Sequence, residues 1–334
     1  MLVMTDSFGF LVVTFIILIA FEALNGWTDA PNAVATVVST RVLPPIAAVT
    51  MAGALNLIGA LSGTAVAATI GKGVINIDAG LSLKTVAAGG LAVVCWGGLA
   101  AYLRMPVSKS HGLVAGLAGA AVQRAGFHSL IWNGWEKVFS GMGISLLLGF
   151  SGAFLVMLAV LWLFRGAGPS GMRRNFGYAQ IFSSAFMAWS HGTSDGQKAM
   201  GAMAMALAIY NKTPSKDFTV PIWVIGLAAA TMGISTLAGG WRIIKTLGMD
   251  ITHLETYQGF AAETAAAATL AVTARFGIPV STTHTIGSAI MGVGATRRLS
   301  AVRWGIAYNI LLAWIFTFPA CFALGYAISA VVPN

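Results

Sequence analysis

A succession of apolar runs, most near the length of a bilayer-crossing helix, follows along this chain with only short polar breaks. The clearer ones are Phe8–Leu24, Ile46–Ile70, Val86–Leu103, Val138–Phe164, Ile181–Trp189 with Ala199–Ile209, Val220–Trp241, His253–Ala274 and Trp304–Val331. A spanning helix takes about 20 apolar residues, and in lipid every backbone N–H and C=O must find its partner within the chain. Such a sequence folds as a bundle of membrane helices. Its composition agrees: 57% of the residues are hydrophobic and 9% charged. A soluble domain has about 25% charged residues, so the surface of this chain is made for lipid.

The formal charge of +9 does not form a basic stripe interleaved with aromatics, which excludes nucleic acid as a partner. Lysines and arginines sit mostly in the breaks between runs, where the positive-inside bias accounts for them. Cys95 and Cys321 lie far apart in separate runs, with neither a disulfide framework nor metal-ligand spacing. Met1–Gly9 carries Asp6 and no basic residue, so it reads as the lead-in to a membrane helix rather than a signal peptide.

Two glycine-rich stretches, Val107–Val122 and Val280–Ala295, follow Pro106 and Pro279 and open on clustered hydroxyls. Proline suits a helix start, so half-helices or re-entrant hairpins are expected here. With the longer runs this predicts about 10–12 membrane segments. The longest polar break, Arg165–Asn175, holds Arg165, Arg173 and Arg174 and no acid. It reads as a cytoplasmic linker (165–175) between a first unit, 1–164, and a second, 176–334.

Those units carry the same motifs in the same order. Asn25-Gly-Trp-Thr-Asp-Ala-Pro-Asn32 is echoed by His191-Gly-Thr-Ser-Asp-Gly-Gln-Lys198, each with a glycine three residues before an aspartate and a hydroxyl directly before it. Pro106-Val-Ser-Lys-Ser-His111 is echoed by Pro279-Val-Ser-Thr-Thr-His284. Asp29 precedes Ser108 by 79 residues and Asp195 precedes Ser281 by 86. Two echoes in register point to duplication. Arg297, Arg298 and Arg303 follow the second Pro-Val-Ser stretch without an acid, whereas Arg124, Glu136 and Lys137 follow the first. That asymmetry places the equivalent loops on opposite faces, an inverted repeat.

Glu22, Asp29, Asp195 and Glu263 fall in or against apolar runs. A carboxylate at mid-helix costs roughly 2.5–3.5 kcal/mol on the insertion scale, so these four should face the interior and an ion or proton path. Asn25, Gly26, Pro31 and Asn32 are expected to break one helix and Gly192, Ser194 and Gly196 the other, freeing carbonyls for a small hard cation or a proton. Ser108, Ser110, Ser281, Thr282 and Thr283 gather hydroxyl donors at helix N-termini, where freed N–H groups and the helix dipole favour an anion. Lys109 and Lys198 add positive charge. His111, His284 and His191 read equally as packing residues or as proton carriers.

An enzyme explains less. Ser190 to Asp195 contains serine, histidine and aspartate, but a hydrolase needs one activated nucleophile, and this polar set is doubled. Two intramembrane aspartates sharing a proton would suit an aspartyl protease and leave the hydroxyls idle. No His-Glu-x-x-His motif and no phosphate loop occurs.

The chain resembles the inorganic phosphate transporter (PiT) family, in particular its bacterial members. The resemblance rests on Gly26-Trp-Thr-Asp-Ala-Pro-Asn-Ala33, Gly71-Lys-Gly73, Ser190-His-Gly-Thr-Ser-Asp-Gly-Gln-Lys-Ala-Met-Gly201, Gln258-Gly-Phe-Ala-Ala-Glu-Thr264 and Pro279-Val-Ser-Thr-Thr-His284. It implies an all-α inverted-repeat membrane fold and cation-coupled phosphate uptake. It differs from the family pattern at Thr28 and Ser194, which stand where an asparagine is usual, and at Asn56, where many relatives carry a glutamate, leaving Glu263 without its counterpart.

The expectation is therefore a multi-pass protein of the cell (inner) membrane that imports inorganic phosphate by alternating access, with no cofactor and no catalytic residue. Phosphate is assigned to Thr28, Asp29, Asn32, Ser108, Lys109, Ser110, Ser194, Asp195, Lys198, Ser281, Thr282 and Thr283. The coupling cation, H+ or Na+, is assigned to Asn25, Asp29, Asn32, Asp195, Glu263 and Glu22. A sulfate or other oxyanion permease of the same fold, a passive anion channel and a homodimeric assembly stay open.

Overall fold

A computed structural model describes residues 7–239, 244 and 246–332, the side chains at 169 and 170 excepted. Asp6 and the end of the Val220–Trp241 run, at 240–241, lie outside the described residues. The chain forms α1 (Phe8–Ser39), α2 (Pro45–Ala60), α3 (Ala65–Ala68, continued by a π-helical turn Thr69–Gly73), α4 (Leu83–Tyr102), α5 (Lys109–Ala125) and α6 (Trp132–Leu163). Then come α7 (Pro169–Tyr210), α8 (Ile222–Thr236), α9 (Thr256–Arg275), α10 (Thr282–Ala295) and α11 (Trp304–Val331). The described residues contain no strand, only an isolated bridge between Ile75 and Leu130.

Among the described residues, four helices, α1, α4, α6 and α11, are long and apolar enough to cross a bilayer, and α2 with α3 makes a fifth candidate span bent by 63°. Large apolar side chains such as Ile16, Leu147, Leu155, Phe182 and Ile315 point outward, while aspartate, lysine and histidine side chains are buried within. That inversion of the soluble pattern makes this a multi-pass membrane protein. Helices α7 and α9 are long but less apolar, because their buried faces carry polar groups such as Gln180, Asp195 and Glu263.

The helices pack as two sets that map onto each other when α1 exchanges with α7, α2 with α8, α4 with α9, α5 with α10 and α6 with α11. Contact of α2 with α7 has its mate in α8 with α1, and α4 with α5 in α9 with α10. The short helices are crossed over: α5 packs on α11, and α10 packs on α6. Each is enclosed by both sets, which is why α10, 14 residues long, is buried along its whole length.

Two expectations need correction. Helices α1 and α7 run unbroken through both aspartate motifs. Pro31 removes only one N–H from a helix that is buried around it from Thr28 to Val37, and the Thr28 hydroxyl donates to the Leu24 carbonyl one turn earlier, at 2.6 Å. The glycines serve close approach instead of breakage. A Cβ on Gly196 would lie 2.6 Å from that of Ala60, and one on Gly26 would lie 2.8 Å from the Met232 carbonyl oxygen. The breaks lie between α2 and α3 and in the extended residues preceding α5 and α10. The polar break at mid-chain is also shorter than 165–175. Helix α7 begins at Pro169, with proline in the first turn, so Arg173, Arg174 and Asn175 are helical.

Candidate functional site

Pro-Val-Ser holds the backbone extended up to Ser108 and Ser281, and each helix starts at the next residue. The Ser108 hydroxyl accepts from the His111 N–H at 3.3 Å, and the Ser281 hydroxyl from the His284 N–H at 3.2 Å. Both serines thus act as N-caps, set two residues after the prolines that were expected to open the helices. The next residues, Lys109 and Ser110 on α5 and Thr282 and Thr283 on α10, are buried and meet the middles of α1 and α7.

The contacts there obey the helix exchange. Thr282 donates to Asp195 at 3.0 Å, and its mate Lys109 donates to Asp29. Asn32 donates to Thr283 at 3.0 Å, and its mate Lys198 donates to Ser110. Asn32 also donates to Thr282 at 3.2 Å. Lys198 further bonds Asp195 and the Val280 carbonyl, the latter at 2.9 Å. One oxygen of each aspartate and one nitrogen of His191 lie within 4.8 Å of one another. Two carboxylates and two ammonium groups therefore share one buried cluster. It is neutral when all four are ionised.

His191 was not among the assigned site residues. Its Nε2 stands 3.4 Å from Asp195 and its Nδ1 3.0 Å from the side-chain oxygen of Asn56, which itself donates to Thr236 at 2.9 Å. A proton on either ring nitrogen faces an acceptor, Nδ1–H the Asn56 oxygen and Nε2–H the Asp195 carboxylate.

Several groups have polar atoms without a partner among the described residues: both oxygens of Glu22, and oxygens of Asn25, Asn32 and Ser194. Buried polar atoms are ordinarily hydrogen-bonded, so these atoms are free to bond a polar ligand or water. Glu22 lies beside Asn25 and faces Gly196. Thr28 is turned to the α1 backbone and Ser108 and Ser281 are occupied as caps, so those three sit at the margin. His111 and His284, each other's mates, meet with ring centroids 4.8 Å apart, flanked by Phe318 and Trp314.

Glu263 forms a second cluster one turn along α1 from Asn32. It accepts from Thr36 and Ser183, with Gln180 at 3.4 Å, and Thr40 donates to Gln180 at 2.9 Å. Thr36, Thr40, Gln180 and Ser183 were not singled out from the sequence. Helical spacing carried the signal: Asp29, Thr36 and Thr40 share one face of α1, and Gln180, Ser183, His191, Asp195 and Lys198 one face of α7. The exchange makes Gly90, not Asn56, the counterpart of Glu263, since α4 and α9 align start to end. Space for a side chain at Gly90 is filled by Ile17 and Leu18, with methyl carbons 3.1 Å from where its Cβ would stand. The second cluster consequently exists in one copy only.

The model of the phosphate transporter family matches residues 25–175 and 165–325. A protein of Rhizobium meliloti (strain 1021) described as a probable low-affinity inorganic phosphate transporter is 42% identical over 95% of this chain and 94% of its own length. One of Bacillus subtilis (strain 168), described in the same words, is 36% identical over 94% of this chain and 96% of its own. Among solved structures, one titled the sodium-dependent phosphate transporter superposes with a TM-score of 0.89 at 22% identity, over 96% of this chain and 98% of that one. On the family match and the identity to these bacterial relatives, the chain belongs to the phosphate transporter family.

Proposed function

We propose that this protein imports inorganic phosphate together with a coupling cation, and that the oxyanion sits between the N-termini of α5 and α10. The carrying observation is the convergence of both hydroxyl-bearing helix starts on Asp29 and Asp195. Phosphate near neutral pH offers both oxygens that accept and a P–OH that donates. Ser110, Thr282, Thr283, Lys109 and Lys198 supply donors, and the aspartates supply acceptors for the P–OH. Sulfate has no such proton and would meet the carboxylates as bare like charge, which disfavours it.

Coupling follows from charge. A neutral cluster that takes in an anion becomes negative in a region where uncompensated charge is costly, so a cation travels with it. Among the described residues, Glu22 and Glu263 are the buried acidic groups outside the two lysine–aspartate pairs, and they receive the H+ or Na+ in this reading. The sodium-dependent fold neighbour supports Na+; the imidazole of His191, 3.4 Å from Asp195, supports H+. The crossed packing of α5 and α10 supports inverted repeats that rock about a fixed site.

The test is uptake of labelled phosphate into liposomes holding the purified protein, under an inward sodium gradient, an inward proton gradient or neither. Accumulation above equilibrium under one gradient, indifferent to excess sulfate, is expected and names the ion. Uptake only to equilibrium indicates a channel, sulfate competition moves the substrate to sulfate, and no uptake by folded protein refutes the proposal.

A further inference from the structure

We infer that Lys109 and Lys198 are built-in cations: their ammonium groups hold the positions in which exchangeable monovalent ions would otherwise neutralise Asp29 and Asp195. The inference rests on the phosphate-transport reading above and concerns the same site. The Lys198 ammonium has a carboxylate oxygen of Asp195, the hydroxyl of Ser110 and the backbone carbonyl of Val280 as acceptors. That set uses all three of its N–H groups. It is also the mixture of carboxylate, hydroxyl and carbonyl oxygens that coordinates a small hard cation in membrane sites. The Lys109 ammonium is bound to Asp29 from the other side. Both lysine side chains are 1–2% exposed, so neither serves as a surface charge.

The helix exchange shows what these positions hold when no lysine is present. Lys198 is the mate of Asn32, and Lys109 is the mate of Thr282. Each neutral residue makes the bond that its lysine mate makes, Asn32 to Thr283 as Lys198 to Ser110, and Thr282 to Asp195 as Lys109 to Asp29. Those two bonds therefore do not by themselves require an ammonium. What the lysines add is charge. With the neutral mates in their place, two carboxylates with oxygens inside a 4.8 Å cluster would stand without a counter-charge other than His191. Two such carboxylates do not both stay ionised unless cations join them. A tethered ammonium fills that role at an effective concentration independent of the medium. Ion binding at the aspartate pair is thereby built into the chain, and the exchangeable coupling ion is left to Glu22 and Glu263. Among the described residues, no lysine or arginine makes an ion pair with either glutamate.

The test exchanges each lysine for the residue its mate supplies, Lys109→Thr and Lys198→Asn, singly and together. Thermal melting of the purified protein is compared in sodium chloride and choline chloride at equal ionic strength, with phosphate uptake in parallel. The wild-type chain sets the reference sodium response. The double variant is expected to show a sodium-specific rise in melting temperature larger than that of the wild type. Its uptake is expected to be about tenfold more sodium-dependent, within the usual range of coupling between neighbouring sites. The same sodium response in wild type and variant overturns the inference, as does restoration of the variant by lowered pH alone. If the double variant does not fold, each single variant leaves one aspartate without its lysine and is read in the same way. Wild-type protein that moves no phosphate under any gradient refutes the transport reading alone, because the melting comparison reports on the lysines without phosphate.

Discussion

Gly192→Ala adds one methyl group at one of the close backbone contacts between α7 and α2. An ideal Cβ there would stand 2.7 Å from Cα and 2.8 Å from the carbonyl carbon of Asn56, and nearer still to its oxygen. All three atoms are backbone, so no rotamer change relieves the contact, and α2 must withdraw by about 1 Å to reach ordinary van der Waals separation. Overpacking of this kind costs about 1–3 kcal/mol, and alanine returns about 1 kcal/mol of helix propensity over glycine. A net loss of up to about 2 kcal/mol is expected. The functional loss should be larger, because withdrawal carries Asn56 away from His191, now 3.0 Å apart, and releases His191 from its place 3.4 Å from Asp195. Displacing a site group by 1 Å can cost about a hundredfold in rate. Gly152→Ala on α6 is the control: its Cβ would meet only the Ala265 methyl at 3.6 Å, so it keeps the propensity gain without the clash. Purified variants are melted by tryptophan fluorescence and assayed for phosphate uptake in liposomes. If Gly192→Ala melts and transports like Gly152→Ala, the account of Gly192 as a close-approach residue that positions His191 is refuted.

Other outcomes follow from the same geometry. Asp195→Asn removes a charge from Lys198 but leaves it Ser110 and the Val280 carbonyl; a loss of about 3 kcal/mol in stability is expected, with uptake abolished. Adding Lys198→Met to Asp195→Asn should recover melting temperature and not uptake, which a double-mutant cycle reads directly. Ser281→Ala forfeits the N-cap of α10 at about 1 kcal/mol and should raise the phosphate concentration needed for half-maximal uptake, with Ser108→Ala its counterpart on α5. Glu263→Gln keeps the size of the side chain while removing its charge; phosphate should then equilibrate without accumulating, measured as the final inside-to-outside ratio.

Much of the site was legible because its chemistry is written in short local motifs. Asp29, Asp195, Lys109, Lys198, Thr282 and Thr283 were all assigned from two pairs of echoes, and all meet in one buried cluster. The partners of Glu263 were missed for a different reason. Thr36, Gln180 and Ser183 belong to no motif, and a lone hydroxyl or amide on a membrane helix looks the same whether it faces a carboxylate or bonds its own backbone. The expected helix breaks at Pro31 and Gly192 failed on a related ambiguity. Proline and glycine mark both broken helices and tightly packed ones, and only the position of α8 against Gly26 and of α2 against Gly192 distinguishes them.

What the sequence by itself determined is the class of solvent and the doubling of the polar set. Apolar run length dictates a helical bundle in lipid, and repeated motifs dictate two like units. What only the tertiary structure decided is which copy supplies which side chain to each cluster. Helices α5 and α10 cross into the opposite set, so the lysine of one unit bonds a serine of the other, and Glu263 has a hydroxyl-lined niche where Gly90 has Ile17 and Leu18. Sequence spacing along one helix sets which side chains share a face. Which face of which neighbour they meet depends on how separate helices pack, across separations of 80 residues and more, and no local pattern records it.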